Sequence, residues 1–355
     1  MTKQLLFASL LLVSCRQISG IREIVYEGGT TGGDGGGGVC TKGTAVLTSS
    51  EDLDDLSVAG GYAMAATLSS QSSAYANIVP CATNASCTNP PGLLTLAFSD
   101  AMPAYATSSS LVYYAVVSGG GPTGTLHSVT FDGKTDQVVL ANASHPLFMG
   151  AFGTKLFWTS DDGGSTPASL HCMGCGTGDQ TWITNLGLTW GVVADANNVY
   201  VIADDGSNNL TDGIYSCGTG AACGSSPKKL MTGLTFNAFH AASQIASDGT
   251  YVYVTNDQSA IIRLDSSAAQ KTIVNNVSAA VIAVDGATGD LFYATDDGTV
   301  AKVKTDGSST TPTTLSTCLP GDANAITGIG FDATNVYVLV IPTAGTDGIY
   351  SIPRN

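Results

Sequence analysis

The chain is 355 residues long, with 43 glycines, only 13 lysines and arginines, and a formal net charge of −15 at neutral pH. That charge argues against direct binding to nucleic acid or to an anionic lipid surface, both of which call for a basic face. Only three glutamates occur, glycine, threonine, serine, valine and tyrosine are plentiful, and no stretch past residue 20 keeps a helical period for ten residues. The fold is therefore read as all-β.

Residues 1–14 read as a cleavable leader. Lys3 supplies a positive start, and Leu5 to Val13 is an apolar run too short to span a bilayer. The run closes in Leu12-Val-Ser-Cys15, which resembles the lipobox of bacterial lipoproteins. The resemblance implies diacylglyceryl transfer to the Cys15 thiol, cleavage before Cys15 and acylation of the new amino terminus. The alternative is an ordinary secretory peptide that ends near a cysteine. Several acyl chains anchor durably, since each buried methylene contributes about 0.8 kcal/mol. Arg16, standing where aspartate would favour inner-membrane retention in lipoprotein sorting, points to the outer membrane of a bacterial cell envelope.

Residues 15–39 form the lipidated cysteine and a tether. Thr30-Thr-Gly-Gly-Asp-Gly-Gly-Gly-Gly38 offers no apolar surface to bury, so it behaves as a flexible coil. A tether of roughly 20 residues spans on the order of 25 Å.

From residue 40 to 355 the sequence reads as one repeat domain. Thr44-Ala-Val-Leu-Thr48 is a strand without a hairpin partner. A phrase then recurs, clearest in Asp195-Ala-Asn-Asn-Val-Tyr-Val, Asp248-Gly-Thr-Tyr-Val-Tyr-Val and Asp332-Ala-Thr-Asn-Val-Tyr-Val. Each copy is a tight polar turn followed by a β-branched and aromatic strand. Aligned on the aromatic of the second strand, copies fall at Tyr62, Tyr113, Phe157, Tyr200, Tyr253, Phe292 and Tyr337, roughly 40 to 53 residues apart. That period is the length of a four-stranded propeller blade. The unit from Ile282 to Leu315 shows all four strands, a to d. The last copy ends after strand c, so Thr44 to Thr48 is expected to complete it and close the ring. The count is seven blades, with six or eight as alternatives.

Tyr253-Val-Thr-Asn256 with Ile261-Ile-Arg-Leu264 resembles the repeat of YVTN propellers and, more loosely, NHL-type propellers. The resemblance implies a binding platform more often than an enzyme.

Nine cysteines are present; setting Cys15 aside leaves eight, an even number that fits disulfides in an oxidising compartment. Local spacing pairs Cys81 with Cys87, Cys172 with Cys175, and Cys217 with Cys223, each where strand c turns towards strand d. Elimination leaves Cys40 with Cys318, a bridge across the closure of the ring. Cys172-Met-Gly-Cys175 has the spacing of a redox pair, but no helix follows it. The hairpin cysteine pairs resemble those of bacterial propeller lipoproteins.

Four histidines and a series of acidic turns are the candidates for chemistry. His127 and His171 occupy equivalent strands c. His145 and His240 fall in the linkers between blades. Asp161-Asp162, Asp204-Asp205, Asp257 and Asp296-Asp297 occupy turns between strands b and c, on the same face as those linkers. They offer a rim for a basic partner or a weak calcium site, or they are plain hairpin turns. No cofactor is called for. The expected function is a monomeric, membrane-anchored binding or scaffolding platform for a protein or glycan. A hydrolase or lyase working at the face of His145 and His240 is the alternative.

Overall fold

The computed structural model describes residues 43–50, 52–68, 75–94, 96, 100–102, 104–118, 123–160, 168–204, 212–234, 244–256, 260–295, 297–309, 311–317, 319, 326–342 and 346–355. These residues build seven small antiparallel sheets arranged as a seven-bladed β-propeller, with no α-helix among them. Blades 3 to 6 each run a-b-c-d in chain order, as in blade 3: Pro146–Phe152, Lys155–Ser160, Ala168–Met173 and Gln180–Leu186. Strand b is apolar on both faces because it lies between neighbouring blades. Seven core clusters among the described residues each join two adjacent blades, for example Phe157 with Val199 and Val201, and Tyr253 with Leu291 and Tyr293. This is the physical reason a single blade cannot stand alone: its apolar faces are covered only by its neighbours.

The ring closes as the sequence pattern predicts. Strands Ile326–Phe331, Asn335–Val340 and Asp347–Pro353 form a, b and c of blade 7, and Thr44–Ser49 pairs antiparallel with Asp347–Pro353 as its strand d. Blade 7 packs closely on blade 1: a Cβ placed on Gly328 would lie 2.5 Å from the Leu56 Cβ, so strand a of blade 7 needs glycine there.

Blade 1 departs from the expected pattern in two ways. Its strand b, Tyr62–Leu68, starts after a two-residue turn of Gly60 and Gly61, both at positive φ (57° and 81°), as a tight hairpin requires. In register, the equivalent of Phe157 is then Met64, not Tyr62: Met64 pairs with Ser57 as Phe157 pairs with Gly150. Tyr62 lies two residues earlier on the same face of the strand and stacks on Phe131 of blade 2.

Blade 1 also has three strands among the described residues. The edge of its strand c, Tyr75–Ala82, is protected by irregular bonds. Leu93 N–H donates to Ile78 O (2.8 Å), and the Asn77 side chain bonds both backbone groups of Leu94. The hairpin beyond strand c carries Cys87–Thr88 onto blade 7, where it pairs parallel with Thr44–Ser49. The Cys81–Cys87 bridge therefore does not staple strand c to a strand d. It ties blade 1 to the closing strand of blade 7. The other two bridges, Cys172–Cys175 and Cys217–Cys223, each close the turn that follows strand c of their own blade. Cys40 and Cys318 lie outside the described residues, as do the leader, Cys15 and the tether.

Candidate functional site

The recurring aspartate is a structural device. Asp195, Asp248 and Asp332 each cap the turn between strands a and b through Oδ1. That oxygen accepts from the N–H of Asn197 and Asn198, of Thr250 and Tyr251, and of Thr334 and Asn335 respectively, at 2.7–2.8 Å. In two copies Oδ2 also takes the phenol of the recurring tyrosine: Tyr253 donates to Asp248 and Tyr337 to Asp332, each at 2.7 Å. Burial, and then the Asp332 carboxylate, push the Tyr337 phenol up to about 12. Tyr337→Phe is expected to cost about 2 kcal/mol, the net worth of a buried hydrogen bond to a charged group. Equilibrium urea unfolding of the two proteins measures it.

On the opposite face, Asp297 is the acidic turn residue whose side chain is described. It is exposed, and its Oδ1 accepts from Thr295 Oγ1 and from the Thr299 N–H (3.0 Å). Those hydrogen bonds, the Thr295 one foremost, hold its carboxyl below the usual range. One of its oxygens is thus committed to its own turn. Asp204 ends strand b of blade 4, and its side chain lies outside the description, together with Asp161, Asp162, Asp205, Asp257, Asp296 and His240. His145 is half-buried in the short linker between blades 2 and 3.

A cluster that the sequence does not announce lies beside His145. Strand pairing sets Trp158 of strand b opposite His171 of strand c, and the two rings stack at 5.4 Å with an interplanar angle of 17°. Two residues beyond Trp158, Ser160 ends strand b, and its Oγ lies 3.0 Å from His171 Nε2. The turn after strand c, held by Cys172–Cys175 and by Gly174 and Gly178 at positive φ, delivers Asp179. Asp179 Oδ1 is 2.7 Å from His171 Nδ1. Its Oδ2 accepts from the N–H and Oγ–H of Ser144 at 3.3 and 3.2 Å. Trp158 Nε1–H in turn donates to Ser144 O at 3.0 Å. Burial alone would raise the Asp179 carboxyl, but the hydrogen bond from His171 and the two bonds from Ser144 outweigh it and hold it low.

Blade 2 repeats half of this arrangement. Tyr114 and His127 pair and stack (4.9 Å), and the Tyr114 hydroxyl donates to Asp136 Oδ2 at 2.7 Å. His127 Nδ1 stands 3.4 Å from Asp136 Oδ1, and the position equivalent to Ser160 is Val116. The aromatic, imidazole and carboxylate thus recur as an element of the scaffold; the serine does not.

Two other places hold polar groups. Asp55 sits at a bulge of strand a in blade 1 with φ 53°, and burial, then the Asp54 charge, push its carboxyl up to about 7. Between blades 4 and 5 a cavity of about 240 Å³ is lined by Asn198, Tyr200, Ser216, Lys228, Thr250 and Asp265, among others. Its Lys228 ammonium is already held by Ser266 O, and its volume is below that of an ordinary ligand pocket. Among the described residues, no group of three or more His, Cys, Asp or Glu stands close enough to hold a metal ion.

No protein-family model matches the chain, and no curated protein does. Among solved structures it is similar to a prolyl endopeptidase at 16% identity, over 83% of this chain and 45% of that one, with a TM-score of 0.56. It is also similar to the extracellular domain of a protein described as a hybrid two-component system from B. thetaiotaomicron, at 13% identity, 89% and 40% coverage, and TM-score 0.56. The chain spans less than half the length of these two proteins. A third similarity, to YCF48 bound to a D1 peptide, has 11% identity, 89% and 93% coverage and TM-score 0.53. At these identities the likeness establishes the propeller fold and nothing further.

Proposed function

We propose that this chain is a lipid-anchored propeller of the bacterial envelope, tethered through Cys15, that serves as a binding or scaffolding platform for a protein or glycan.

 The observation that supports it most is the disulfide set. Three bridges close among the described residues, two fixing a turn that follows a strand c and one tying blade 1 to the closing strand of blade 7, and such bridges form and persist in an oxidising compartment. The leader and the Leu12-Val-Ser-Cys15 sequence supply the route to that compartment and the means of attachment. YCF48, a propeller of comparable length, is seen with a bound peptide, so a ring of this size is large enough to serve as a platform. Arg16 favours the outer membrane over the inner one.

Cys15→Ala is the test. The wild-type protein is expected to take up a palmitate probe and to sediment with the envelope; the variant takes up none and is released as soluble protein. Continued labelling of the variant overturns the anchor. Affinity purification of the tethered propeller from its own envelope tests the platform, and a propeller recovered alone after crosslinking counts against it.

A further inference from the structure

We infer that Ser160, His171 and Asp179 form a nucleophilic site for small, neutral carboxylic esters at the junction of blades 2 and 3. The platform reading does not depend on it, and either can fail without the other.

The argument starts from where the protons must be. Asp179 is held as a carboxylate, so both of its oxygens accept hydrogen bonds. His171 Nδ1, at 2.7 Å from Asp179 Oδ1, therefore carries the proton. In the neutral imidazole Nε2 is then a bare lone pair, and the Ser160 hydroxyl at 3.0 Å donates to it. A serine whose proton points at an imidazole oriented by a carboxylate is the arrangement that activates an oxygen nucleophile. Such an arrangement is recognised by geometry and role, not by its place in the sequence.

Blade 2 separates this from a need of the scaffold. Tyr114, His127 and Asp136 form a similar stacked unit, its carboxylate bonded by the Tyr114 phenol and not by the imidazole, with valine at the serine position. The propeller therefore stacks an aromatic ring on an imidazole beside a carboxylate without a serine, and Ser160 is an addition to that pattern. Ser160 is also the last residue of its strand, next to the turn face, and is 5% exposed. Such limited access favours a small substrate, and the charge of −15 on the chain favours a neutral one over an anionic one.

The step balances without a cofactor. Ser160 Oγ bonds to the acyl carbon as its proton passes to His171 Nε2. The C–O bond to the alcohol breaks, and the leaving oxygen takes that proton. Water then attacks the acyl-serine and gives a proton to Nε2; the Oγ–C bond breaks to release the acid, and Ser160 Oγ takes that proton back from Nε2. Ser160 and His171 are the catalytic residues; Asp179 is a positioning residue.

The test uses the full-length protein, diisopropyl fluorophosphate and p-nitrophenyl acetate. Ser160 Oγ is expected to displace fluoride, and peptide mass spectrometry should find the phosphoryl adduct on Ser160. Ser160→Ala removes the adduct and the ester turnover. Asp179→Asn lowers kcat by about 10²–10⁴-fold with KM unchanged, a split that a loosened scaffold would not give. Unmodified Ser160 in wild-type protein with a cooperative thermal transition overturns the site and leaves the cluster as a clamp between blades. Equal turnover by wild type and Ser160→Ala does the same.

Discussion

Arg354→Ala is expected to cost the propeller about 3–5 kcal/mol, the penalty for removing one partner of a buried ion pair. Arg354 is 7% exposed, one residue from the end of the chain. Its guanidinium pairs with Asp285 of blade 6, donates to Asp332 O (2.6 Å), and lies over the rings of Phe292 (4.8 Å) and Phe331 (5.3 Å). Its backbone N–H donates to Thr334 O at 3.0 Å, and its carbonyl accepts from Lys302. One side chain thus joins blade 6 to blade 7 by charge, hydrogen bond and ring contact. Alanine leaves the half-buried Asp285 without its cation, and Lys recovers only part, because an ammonium offers neither the fork nor the flat face.

The same pair sets an acid-side dependence. Burial alone would raise the Asp285 carboxyl, but hydrogen bonds from Arg354, Thr288 and the Ala287 N–H hold it below its ordinary 3.8. Its folded value lies below its unfolded one, so the unfolded chain binds more protons in that window and stability rises with pH. The contribution is complete at neutral pH and is lost as pH falls through the folded value, below 3.8. Urea unfolding at neutral pH and in acid should show the two proteins converging in acid. A loss under about 1 kcal/mol at neutral pH would place the pair among exposed, screened ones.

The scaffold was legible because its signals are local. Asp195, Asp248 and Asp332 cap their turns with their own carboxylates, so a few adjacent residues announce each hairpin. The closing strand was legible for a related reason: a blade lacking strand d and a strand lacking a hairpin imply each other. Met64 was hidden because Tyr62 has the same parity two residues away, and parity alone cannot distinguish them. Cys87 was assigned to the right bridge but to the wrong blade, since nothing in its spacing says that its hairpin reaches across the closure. The Ser160 cluster had no motif at all. Its serine, imidazole and carboxylate meet only through the pairing of Trp158 with His171 and the turn that brings Asp179 back, and both are properties of register. The equivalence of His127 and His171 was the one readable clue to it.

Leu47→Ala, in the closing strand, is expected to cost about 3–5 kcal/mol, as large-to-small changes at fully buried leucines do. Leu47 has no exposed surface and belongs to the cluster of Leu53, Ala63, Val79, Tyr337, Leu339 and Ile349, which joins blade 7 to blade 1. It pairs with Ile349 on one side and with Cys87 on the other, so it is held between the last blade and the hairpin of the first. Asp347 adds a further link across the seam, accepting the Leu53 N–H at 2.8 Å. Leu188→Ala is the control, since Leu188 is 47% exposed and a surface change there should stay within about 0.5 kcal/mol. Thermal and urea unfolding compare the two. If the closing strand were an accessory, Leu47→Ala would match the control. If it completes the ring, its loss exposes apolar faces on both blades at once, and the two substitutions separate by several kilocalories although each removes the same three carbons.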